Sequence, residues 1–254
     1  MKILITGKSG YIAKSLYNNL KDKYDITMVG RQDFDLTNFV DTKVYFQDKH
    51  FDVVIHTAVS GGSRLKDDTH LDMDINLSMY YNLLQNKLSY DKLIEFGSGA
   101  ELHMENEPYG LSKKVIAKSI EGINNFYNLR VFAVFDENEL DTRFIKSCIK
   151  RYINKEDMEV HNSRKMDFFY MQDLIKVVEY YINNTNLPKL YNCCYEKKYS
   201  LLEIATMINN LDNYKVAISS QNRTHIDYTG CYRPVGIDYI GLEEGIRLTY
   251  NKLK

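Results

Sequence analysis

The chain has 254 residues, 44% of them hydrophobic, and its 33 basic and 34 acidic residues leave a formal net charge of −1. This balance excludes a chain-wide basic field for nucleic acid or an anionic membrane, and no apolar run reaches the roughly 18–20 residues that cross a bilayer. Because no secretory signal pattern opens the chain, we expect a cytoplasmic protein. Its four cysteines are expected to be buried reduced thiols: Cys148, Cys193, Cys194 and Cys231. They form no C-x-x-C pair and the histidines are scattered, so we expect no metal site.

The first part of the chain alternates strands with helices. The β-branched run at 2–6 predicts a buried strand, and Ile12, Leu16 and Leu20 then recur at helical spacing. Further strands are predicted at 25–30, 51–59, 92–98 and 129–135. Helices are predicted at 38–49, 72–87, 108–127 and 141–153. The alternation predicts an α/β fold, a Rossmann-type doubly wound parallel sheet that binds its ligand at the carboxyl ends of the strands.

Beyond residue 155 this alternation loosens. Apolar segments at 168–182, 189–195 and 200–211 precede a helix predicted at 243–253. We therefore predict a main domain over 1–155 and a smaller C-terminal α/β lobe over 156–254, with an approximate boundary that allows the chain to interleave.

A glycine-rich turn joins the first strand to the first helix. Gly7, Gly10 and Ala13 form the pattern G-x-x-G-x-x-A in TGKSGYIA. Glycine permits positive φ in such a turn and lets a pyrophosphate approach the backbone, while the N–H groups that open the helix attract phosphates. We predict dinucleotide binding here rather than a purely structural turn. The residues expected to contact the cofactor are Gly7, Ser9, Gly10, Tyr11 and Ile12.

The end of the second strand, VGRQDFDL, indicates which dinucleotide binds. Sites that prefer NAD commonly hold an acidic residue here, whereas an arginine suits the 2′-phosphate of NADP. Gly30 stands at the acidic position and Arg31 follows it. We predict NADP(H), with NAD(H) as the alternative and a solvated surface charge as the other interpretation of Arg31. Further cofactor contacts are expected from Asp35, Leu36, Thr57, Ala58 and Val59, and substrate contacts from Ser60 and Gly62.

The spacing Tyr-x-x-x-Lys occurs four times in a chain with 21 tyrosines, so spacing alone identifies no catalytic pair. Only Tyr109/Lys113 opens a helix directly after the loop that leaves the fourth strand, which ends at Ser98. Position at the carboxyl edge of the sheet therefore selects this pair. The other matches are Tyr17/Lys21, Tyr45/Lys49 and Tyr250/Lys254.

These residues suit proton transfer. A tyrosine has a pKa near 10, and a lysine ammonium on the same helix face favours the phenolate. Tyr109 could then give a proton to a carbonyl oxygen that Ser98 polarises, while a nicotinamide gives hydride to the carbon. Asn76 is equally well interpreted as a support for a water relay or as a structural residue.

The chain resembles the extended short-chain dehydrogenase/reductase family, and most closely its GDP-L-fucose synthase branch of 4-keto-6-deoxy-sugar reductases. The motifs that carry this resemblance occur in the family's order: TGKSGYIA, DLTN, VVIHTAV, Ser98, YGLSK, MDFFYMQDL and LYNCCYEKKYSLLEIA. The resemblance implies a cofactor domain with catalytic Ser98, Tyr109 and Lys113, a substrate-binding lobe and nucleotide-sugar substrates. Tyr109 and Lys113 are also expected to contact the cofactor, with Lys113 holding its ribose. It also implies a homodimer through the helices near 72–87 and 108–127.

Departures from this branch narrow the expected chemistry. Ala100 stands where the branch has a cysteine for epimerisation, and Arg143 stands where it has the partner histidine. The resemblance places Arg151, rather than Lys150, near the nucleotide diphosphate, and we expect substrate contacts from Ser98, Arg143 and Arg151. His103 is interpreted as a solvated loop residue or an auxiliary acid.

Other family positions differ as well. The usual asparagine and Gly-Pro after the fifth strand are missing. Met166 replaces the family's arginine, for which Arg164 or Lys165 could substitute.

Three functions remain open at this stage. The first is NADPH-dependent reduction of the 4-keto group of a nucleotide-linked 4-keto-6-deoxy sugar, without 3,5-epimerisation. The second is an NAD-dependent 4-epimerase or 4,6-dehydratase, for which Glu101 lacks the usual preceding aspartate. The third is a non-catalytic NADP-binding regulatory protein, which the complete Ser98, Tyr109 and Lys113 set disfavours.

Overall fold

The structure is a computed structural model that describes residues 1–63, 66–161, 164–221 and 226–254. Its strands are β1 (Lys2–Thr6), β2 (Asp25–Val29), β3 (Phe51–His56), β4 (Tyr90–Ser98), β5 (Phe126–Val131), β6 (Val134–Phe135), β7 (Met158–Val160), β8 (Phe169–Tyr170), β9 (Leu190–Cys193) and β10 (Ile218–Ser220). Its helices are α1 (Tyr11–Leu20), α2 (Phe39–Phe46), α3 (His70–Gln85), α4 (Ala100–His103), α5 (Pro108–Glu121), α6 (Phe144–Ile153), α7 (Met171–Asn183), α8 (Leu201–Asn209) and α9 (Leu242–Leu253).

The chain divides into two compact units. Unit 1 comprises Met1–Arg130 and Val178–Tyr191, and unit 2 comprises Val131–Val177 and Asn192–Lys254. The chain therefore passes from unit 1 to unit 2 and back again. The predicted assignment of cofactor binding to 1–155 and substrate binding to 156–254 stays a prediction.

A six-stranded parallel sheet has the strand order β2-β1-β3-β4-β5-β9. In register, Ile5 of β1 lies between Met28 of β2 and Ile55 of β3. The chain leaves β1 toward β2 and returns to the opposite side of β1 as β3, so the topological switch point lies between β1 and β3. Ligands of such sheets bind at the carboxyl ends of the strands at this point. The predicted Rossmann-type α/β fold is confirmed.

Each unit has its own apolar core. In unit 1, the sheet residues Leu4, Val54 and Leu93 pack with Tyr80 and Leu83 of α3. Unit 2 contains two short parallel pairs, β7 with β10 and β6 with β8. Its core packs residues of α6, α8 and α9 together, including Ile149, Ile204 and Ile246.

Local sequence explains where several elements begin. Thr69 caps α3 through a reciprocal pair of hydrogen bonds with Asp72, and Ser200 caps α8 in the same way with Glu203. Pro108 opens α5, where its missing N–H costs no helical hydrogen bond.

Three predictions about local structure are wrong. The strand predicted at 129–135 ends at Val131, and Val134–Phe135 forms the separate strand β6, which pairs with β8. The helix predicted to reach residue 127 ends at Glu121, because Phe126 and Tyr127 are buried as the first residues of β5. Cys148, Cys193 and Cys194 are buried free thiols as predicted, but Cys231 is exposed because it lies in a segment without regular secondary structure.

Candidate active site

The turn after β1 is built as the glycine pattern predicts. Gly7 has φ +77°, and a Cβ there would lie 2.8 Å from the Ala58 nitrogen and 3.0 Å from Thr57 Oγ1. A side chain at this position would therefore be strained and would collide with the segment after β3. Gly10 donates its N–H to the Gly7 carbonyl at 2.8 Å and precedes Tyr11, where α1 begins without a side-chain cap. The N–H groups in the first turn of α1 thus have no capping side chain and suit a phosphate.

A cavity of about 460 Å³ lies in unit 1 at the carboxyl ends of β1, β2 and β3. Nine of the predicted cofactor residues line it: Gly7, Ser9, Gly10, Arg31, Asp35, Leu36, Thr57, Ala58 and Val59. Tyr11 and Ile12 are half-buried in the first turn of α1 and are not among the lining residues. The switch point of the sheet therefore holds a cavity of the size expected for a small-molecule site.

Sequence reasoning missed two charged residues at the β2 end of this cavity. Lys8 lines the cavity, and its ammonium contacts the Asp33 carboxylate at 2.7 Å. Asp33 also accepts the Gly30 N–H at 2.8 Å, and these two hydrogen bonds, with that of Lys8 the larger cause, lower the pKa of Asp33. Arg31 is exposed beside them. The position of Lys8 inside the glycine turn was the available sequence signal.

Asp35 and Leu36 shape the adjoining wall of the cavity. The Thr37 hydroxyl and N–H both donate to Asp35, at 2.8 and 2.9 Å, and these bonds lower the pKa of Asp35. The Leu36 side chain is buried, and its carbonyl accepts a hydrogen bond from Asn82 at 2.9 Å. Hydrogen bonds from Thr37 and Asn82 thus hold the two predicted cofactor contacts after β2, Asp35 and Leu36, in place.

Ser98 and Tyr109 are placed by β4 and α5. Ser98 is the last residue of β4 and is buried, and its Oγ accepts the Ala100 N–H at 3.1 Å. Tyr109 is the second residue of α5 and is half-buried. Its ring covers Gly62, where a Cβ would lie 2.8 Å from the ring carbon that bears the hydroxyl. Gly110 lets α5 approach this closely, since a Cβ there would collide with the carbonyl groups of α4 and its C-cap.

Lys113 lies one helical turn after Tyr109 and is buried. Its ammonium donates to Glu95 Oε1 at 2.9 Å and to the Phe96 carbonyl at 2.8 Å. Burial acts to lower the pKa of Lys113, but the carboxylate of Glu95, together with Tyr109, outweighs burial and raises that pKa above its ordinary value. These bonds also tie α5 to the strand that ends at Ser98. Sequence reasoning did not identify Glu95.

The other three Tyr-x-x-x-Lys pairs have a different structure. In each, the lysine is exposed and its ammonium lies over the ring of its own tyrosine. The ammonium-to-centroid distances are 5.9 Å for Tyr17/Lys21, 3.7 Å for Tyr45/Lys49 and 5.3 Å for Tyr250/Lys254. Of the four pairs, Tyr109/Lys113 alone has a buried lysine with a carboxylate partner, which agrees with its selection by position.

Asn76 connects the segment after β3 to α5. Its Oδ1 accepts the Ser60 N–H at 2.8 Å, and its Nδ2 donates to the Ser60 carbonyl at 2.9 Å and to Ser112 Oγ at 3.3 Å. Ser112 in turn donates to the Tyr109 carbonyl at 2.7 Å. Asn76 is buried, and these contacts position both Ser60 and the first turn of α5.

Glu101 points into the interior of unit 1. Its carboxylate accepts the Ser98 N–H at 2.9 Å and bonds Asn128 and Arg130, with 2.6 Å between Glu101 Oε2 and an Arg130 Nη. Gly97 makes room for it, since a Cβ there would lie 2.2 Å from Glu101 Oε1. Burial raises the pKa of Glu101, and Arg130 opposes this shift. The Glu101 carboxylate is therefore fully occupied by the Ser98 backbone, Asn128 and Arg130.

The remaining predicted substrate residues belong to unit 2. Arg143 precedes the first residue of α6 and is half-buried. Nearby, burial raises the pKa of Glu139 to about 8, and the charge of Arg143 opposes this shift. Arg151 donates to the Asp157 carbonyl at 2.8 Å, and Lys150 donates to Asp141 at 2.7 Å. The predicted roles of Arg143 and Arg151 in substrate binding stay predictions.

Three further residues from the sequence analysis have clear positions. His103 is exposed at the end of α4, and Lys165 is exposed. Met166 is buried in the core of unit 2. In the described ranges, no three His, Cys, Asp or Glu side chains group as metal ligands, and no helix is long and apolar enough to span a membrane.

Residues 3–194 match the NAD dependent epimerase/dehydratase family, and the chain belongs to that family. The resemblance noted in the sequence, and the prediction of an enzyme that uses a nicotinamide dinucleotide, are thereby confirmed. GDP-L-colitose synthase of Yersinia pseudotuberculosis is 26% identical over an alignment of 260 positions, which covers 85% of this chain and 83% of that protein.

Solved structures share the fold. A GDP-mannoheptose C4 reductase from Campylobacter jejuni with NADP bound has a TM-score of 0.83 at 20% identity, covering 98% of this chain and 97% of that one. A UDP-glucose 4-epimerase from Thermus thermophilus in complex with NAD has a TM-score of 0.77 at 16% identity, covering 99% and 98%. Both dinucleotides thus occur among proteins of this fold.

Proposed function

We propose that this chain catalyses the NADPH-dependent reduction of the 4-keto group of a nucleotide-linked 4-keto-6-deoxy sugar, without 3,5-epimerisation. The observation that carries the proposal is the buried Lys113 ammonium beside Tyr109, tied to the strand that ends at Ser98. The relatives support the substrate class, because GDP-L-colitose synthase and GDP-mannoheptose C4 reductase are both named for nucleotide-sugar chemistry.

In this proposal each side chain has a separate task. Bound NADPH supplies the hydride to C4 of the sugar. Tyr109 donates its hydroxyl proton to the developing alkoxide, and the Lys113 charge stabilises the phenolate that remains. Because Ser98 Oγ accepts the Ala100 N–H, the Ser98 hydroxyl proton is available to the keto oxygen.

The same geometry argues against epimerisation or dehydration. Proton exchange at C3 and C5 needs an acid and a base, and the Ala100 methyl group can be neither. Arg143 keeps its proton in proteins and is not a base. Glu101, the carboxylate that a dehydratase would need, is engaged with Asn128 and Arg130.

Arg31 and Lys8 support the choice of NADPH. Both line the cavity at the end of β2, where the adenosine ribose of a dinucleotide lies in this fold. Two cations at this place suit a 2′-phosphate. Asp33 gives NADH a weaker alternative, since a carboxylate can accept the ribose hydroxyls.

The predicted homodimer through α3 and α5 remains part of the proposal. Leu71 and Tyr81 of α3 and Leu111 of α5 are exposed large hydrophobic side chains in unit 1. Apolar side chains exposed on two helices fit a partner surface.

The deciding experiment is incubation of the protein with NADPH and a panel of nucleotide-linked 4-keto-6-deoxy sugars, following the absorbance of NADPH. Tyr109→Phe should lower turnover by about 10²–10⁴-fold with NADPH affinity retained, because only the proton donor is lost. Tyr45→Phe is the matched control and should leave turnover unchanged. In D₂O the product should carry no deuterium at C3 or C5.

Other outcomes contradict the proposal in distinct ways. Retained turnover in Tyr109→Phe would exclude the proton-donor role. Tightly bound NAD in the purified protein, with no net oxidation of NADPH, would favour the 4-epimerase or 4,6-dehydratase. Cofactor binding without turnover of any keto sugar would favour a regulatory protein.

A further inference from the structure

A row of three polar side chains crosses the central sheet next to the catalytic lysine. Thr6, His56 and Glu95 are register partners on β1, β3 and β4. Each is at most 1% exposed. Central strands of parallel sheets are normally apolar on both faces, so three such residues side by side require an explanation.

The contacts along this row lead to Lys113. Thr6 Oγ1 lies 2.7 Å from His56 Nδ1, and His56 Nε2 lies 3.9 Å from Glu95 Oε2. Glu95 Oε1 accepts the Lys113 ammonium at 2.9 Å. In the part of the chain that the structure describes, Glu95 Oε2 has no hydrogen-bond partner. The hydrogen-bonded ion pair with Lys113, a member of the predicted catalytic set, is therefore the one strong interaction of the Glu95 carboxylate among the described residues.

A purely structural role explains this arrangement poorly. A buried ion pair seldom stabilises a fold more than apolar residues of the same size would, because both charges must be removed from water. Glu95 stands between Ile94 and Phe96 in β4, where an apolar side chain would satisfy the sheet. The charge at this position is better explained by what it does to Lys113.

The other ionisable groups around the pair come from α5 itself and from three further elements. Besides Glu95, the groups that interact electrostatically with Lys113 are Tyr109 on its own helix, Glu101 of α4 and His56 of β3. Glu95 acts electrostatically on Tyr80 of α3. Burial, with the charge of Lys113, lowers the pKa of His56 to about 3, so His56 is neutral at physiological pH. Among these groups Lys113 is the cation that faces Glu95.

We propose that Glu95 is a positioning residue that keeps Lys113 protonated and fixes its ammonium beside Tyr109, with neutral His56 as an uncharged wall behind the pair. This inference rests on the proposed function, since it assigns Lys113 the task of stabilising the Tyr109 phenolate. The physical reason is a balance of two opposing effects. Burial alone would lower the pKa of Lys113 and favour loss of its proton, whereas the Glu95 carboxylate raises this pKa and outweighs burial.

The direct test is Glu95→Gln, which keeps the size of the side chain and removes its charge. Protein with ¹³C-labelled lysine is titrated by NMR, and the Lys113 resonance is the one that Lys113→Arg removes. In the natural protein this resonance should stay that of an ammonium from pH 6 to 9. In Glu95→Gln its midpoint should fall by about one to three pH units, the effect of one nearby opposite charge. This measurement needs no substrate.

The kinetic test uses the reverse reaction, oxidation of the reduced sugar by NADP⁺, which needs the Tyr109 phenolate. In Glu95→Gln the acidic limb of the pH–rate profile should move to higher pH, because a lysine that gives up its proton more easily favours the phenolate less. Glu95→Asp, which restores the charge, should move the limb back. Glu101→Gln is the matched control, since Glu101 also acts on Lys113 but less strongly than Glu95 does and without a hydrogen bond to it; it should move the limb less than Glu95→Gln, whatever its effect on the rate.

Each outcome decides something. An unshifted Lys113 resonance in Glu95→Gln overturns the inference, whatever the substrate proves to be. A shifted resonance in a protein that reduces no keto sugar supports the role of Glu95 and contradicts the proposed function. If Glu95→Gln does not fold, Glu95→Asp takes its place. A Glu95→Asp titration identical to that of the natural protein supports a charge effect, whereas a lysine that loses its proton there refutes it.

Discussion

Two buried lysines are associated with strand β4, and their ammonium groups are held in different ways. Lys92 belongs to the strand, and Lys113 of α5 contacts it. At the start of the strand, Lys92 Nζ donates to three backbone carbonyl groups at the end of α7. The three distances are 2.6, 2.7 and 2.7 Å, to Tyr181, Ile182 and Asn184. All three ammonium protons are thereby used, and they bind the last carbonyl groups of a helix, which lack intrahelical partners.

At the other end of β4, Lys113 has a carboxylate as one of its partners. Its ammonium contacts Glu95 Oε1 and the Phe96 carbonyl, which accounts for two of its three protons. Burial lowers the pKa of Lys92, whereas the carboxylate raises the pKa of Lys113. Carbonyl groups thus fix the position of a buried lysine, as at Lys92, whereas a carboxylate also favours its charged form, as at Lys113.

The largest expected difference between the two lysines is in turnover. Lys113→Met should lower the rate of keto-sugar reduction by about 10²-fold or more, because Tyr109 loses the charge that stabilises its phenolate. Lys92→Met should change the rate per folded molecule only slightly, since Lys92 contacts no predicted catalytic residue. Steady-state assays at saturating NADPH measure both. Equal losses in the two variants would show that Lys113 acts only through the fold.

Stability should separate the two lysines by its dependence on pH. Lys92→Met leaves three buried carbonyl groups without their donor and should lower the free energy of unfolding by about 1–3 kcal/mol, measured by urea denaturation. The loss from Lys113→Met should depend on pH. Without Lys113 nothing opposes the burial that raises the pKa of Glu95, so the folded protein holds a proton that the unfolded chain releases. Stability of that variant should therefore be fully retained at low pH and fall as pH rises above about 4.5, the ordinary pKa of a glutamate. A pH-independent loss would contradict this account.

Sequence alone identified Ser98, Tyr109 and Lys113 as candidates for the site, because the end of the fourth strand and the start of the next helix follow from the order of elements. Their catalytic roles stay predictions. Glu95 could not be identified in this way, because its importance depends on which residue of the neighbouring strand lies opposite. His56 is that residue, and register between parallel strands is a tertiary property. The only sequence signal was a carboxylate inside the run LIEFGS, among otherwise uncharged residues.

The fold was predictable for a related reason. Periodic apolar patterns located five strands of the central sheet, but the sixth, β9, lies in the segment 189–195 that was assigned to the C-terminal lobe. The end of α5 was misjudged because Phe126 and Tyr127 suit a helix and a buried strand equally well. Tertiary burial decided between the two. Asn76 likewise gave an even choice in the sequence, and its contacts with Ser60 and Ser112 become visible only in the structure.

A third lysine extends the comparison to a surface pair, and here the smallest effect is expected. Lys8 also has a carboxylate partner, Asp33, but both side chains are about one third exposed. Exposed pairs are weak, so this lysine can exchange its partner for a 2′-phosphate, whereas the buried Lys113 cannot leave Glu95 at low cost. Exposure, rather than the identity of the partner, determines which pair is exchangeable.

Lys8→Met should therefore weaken NADPH binding about tenfold and leave NADH binding nearly unchanged, because one charge-assisted hydrogen bond to phosphate is lost. Asp33→Asn is the matched variant and should do the opposite. It should strengthen NADPH binding because it releases Lys8 from its ion pair. It should weaken NADH binding because the charged acceptor for the ribose hydroxyls is replaced by a neutral amide. Fluorescence titration with both cofactors at two salt concentrations measures these changes, and the NADPH effect should shrink at high salt. Equal losses for the two cofactors in Lys8→Met would place Lys8 on the pyrophosphate, which both share, and would leave Arg31 as the cation that selects NADPH.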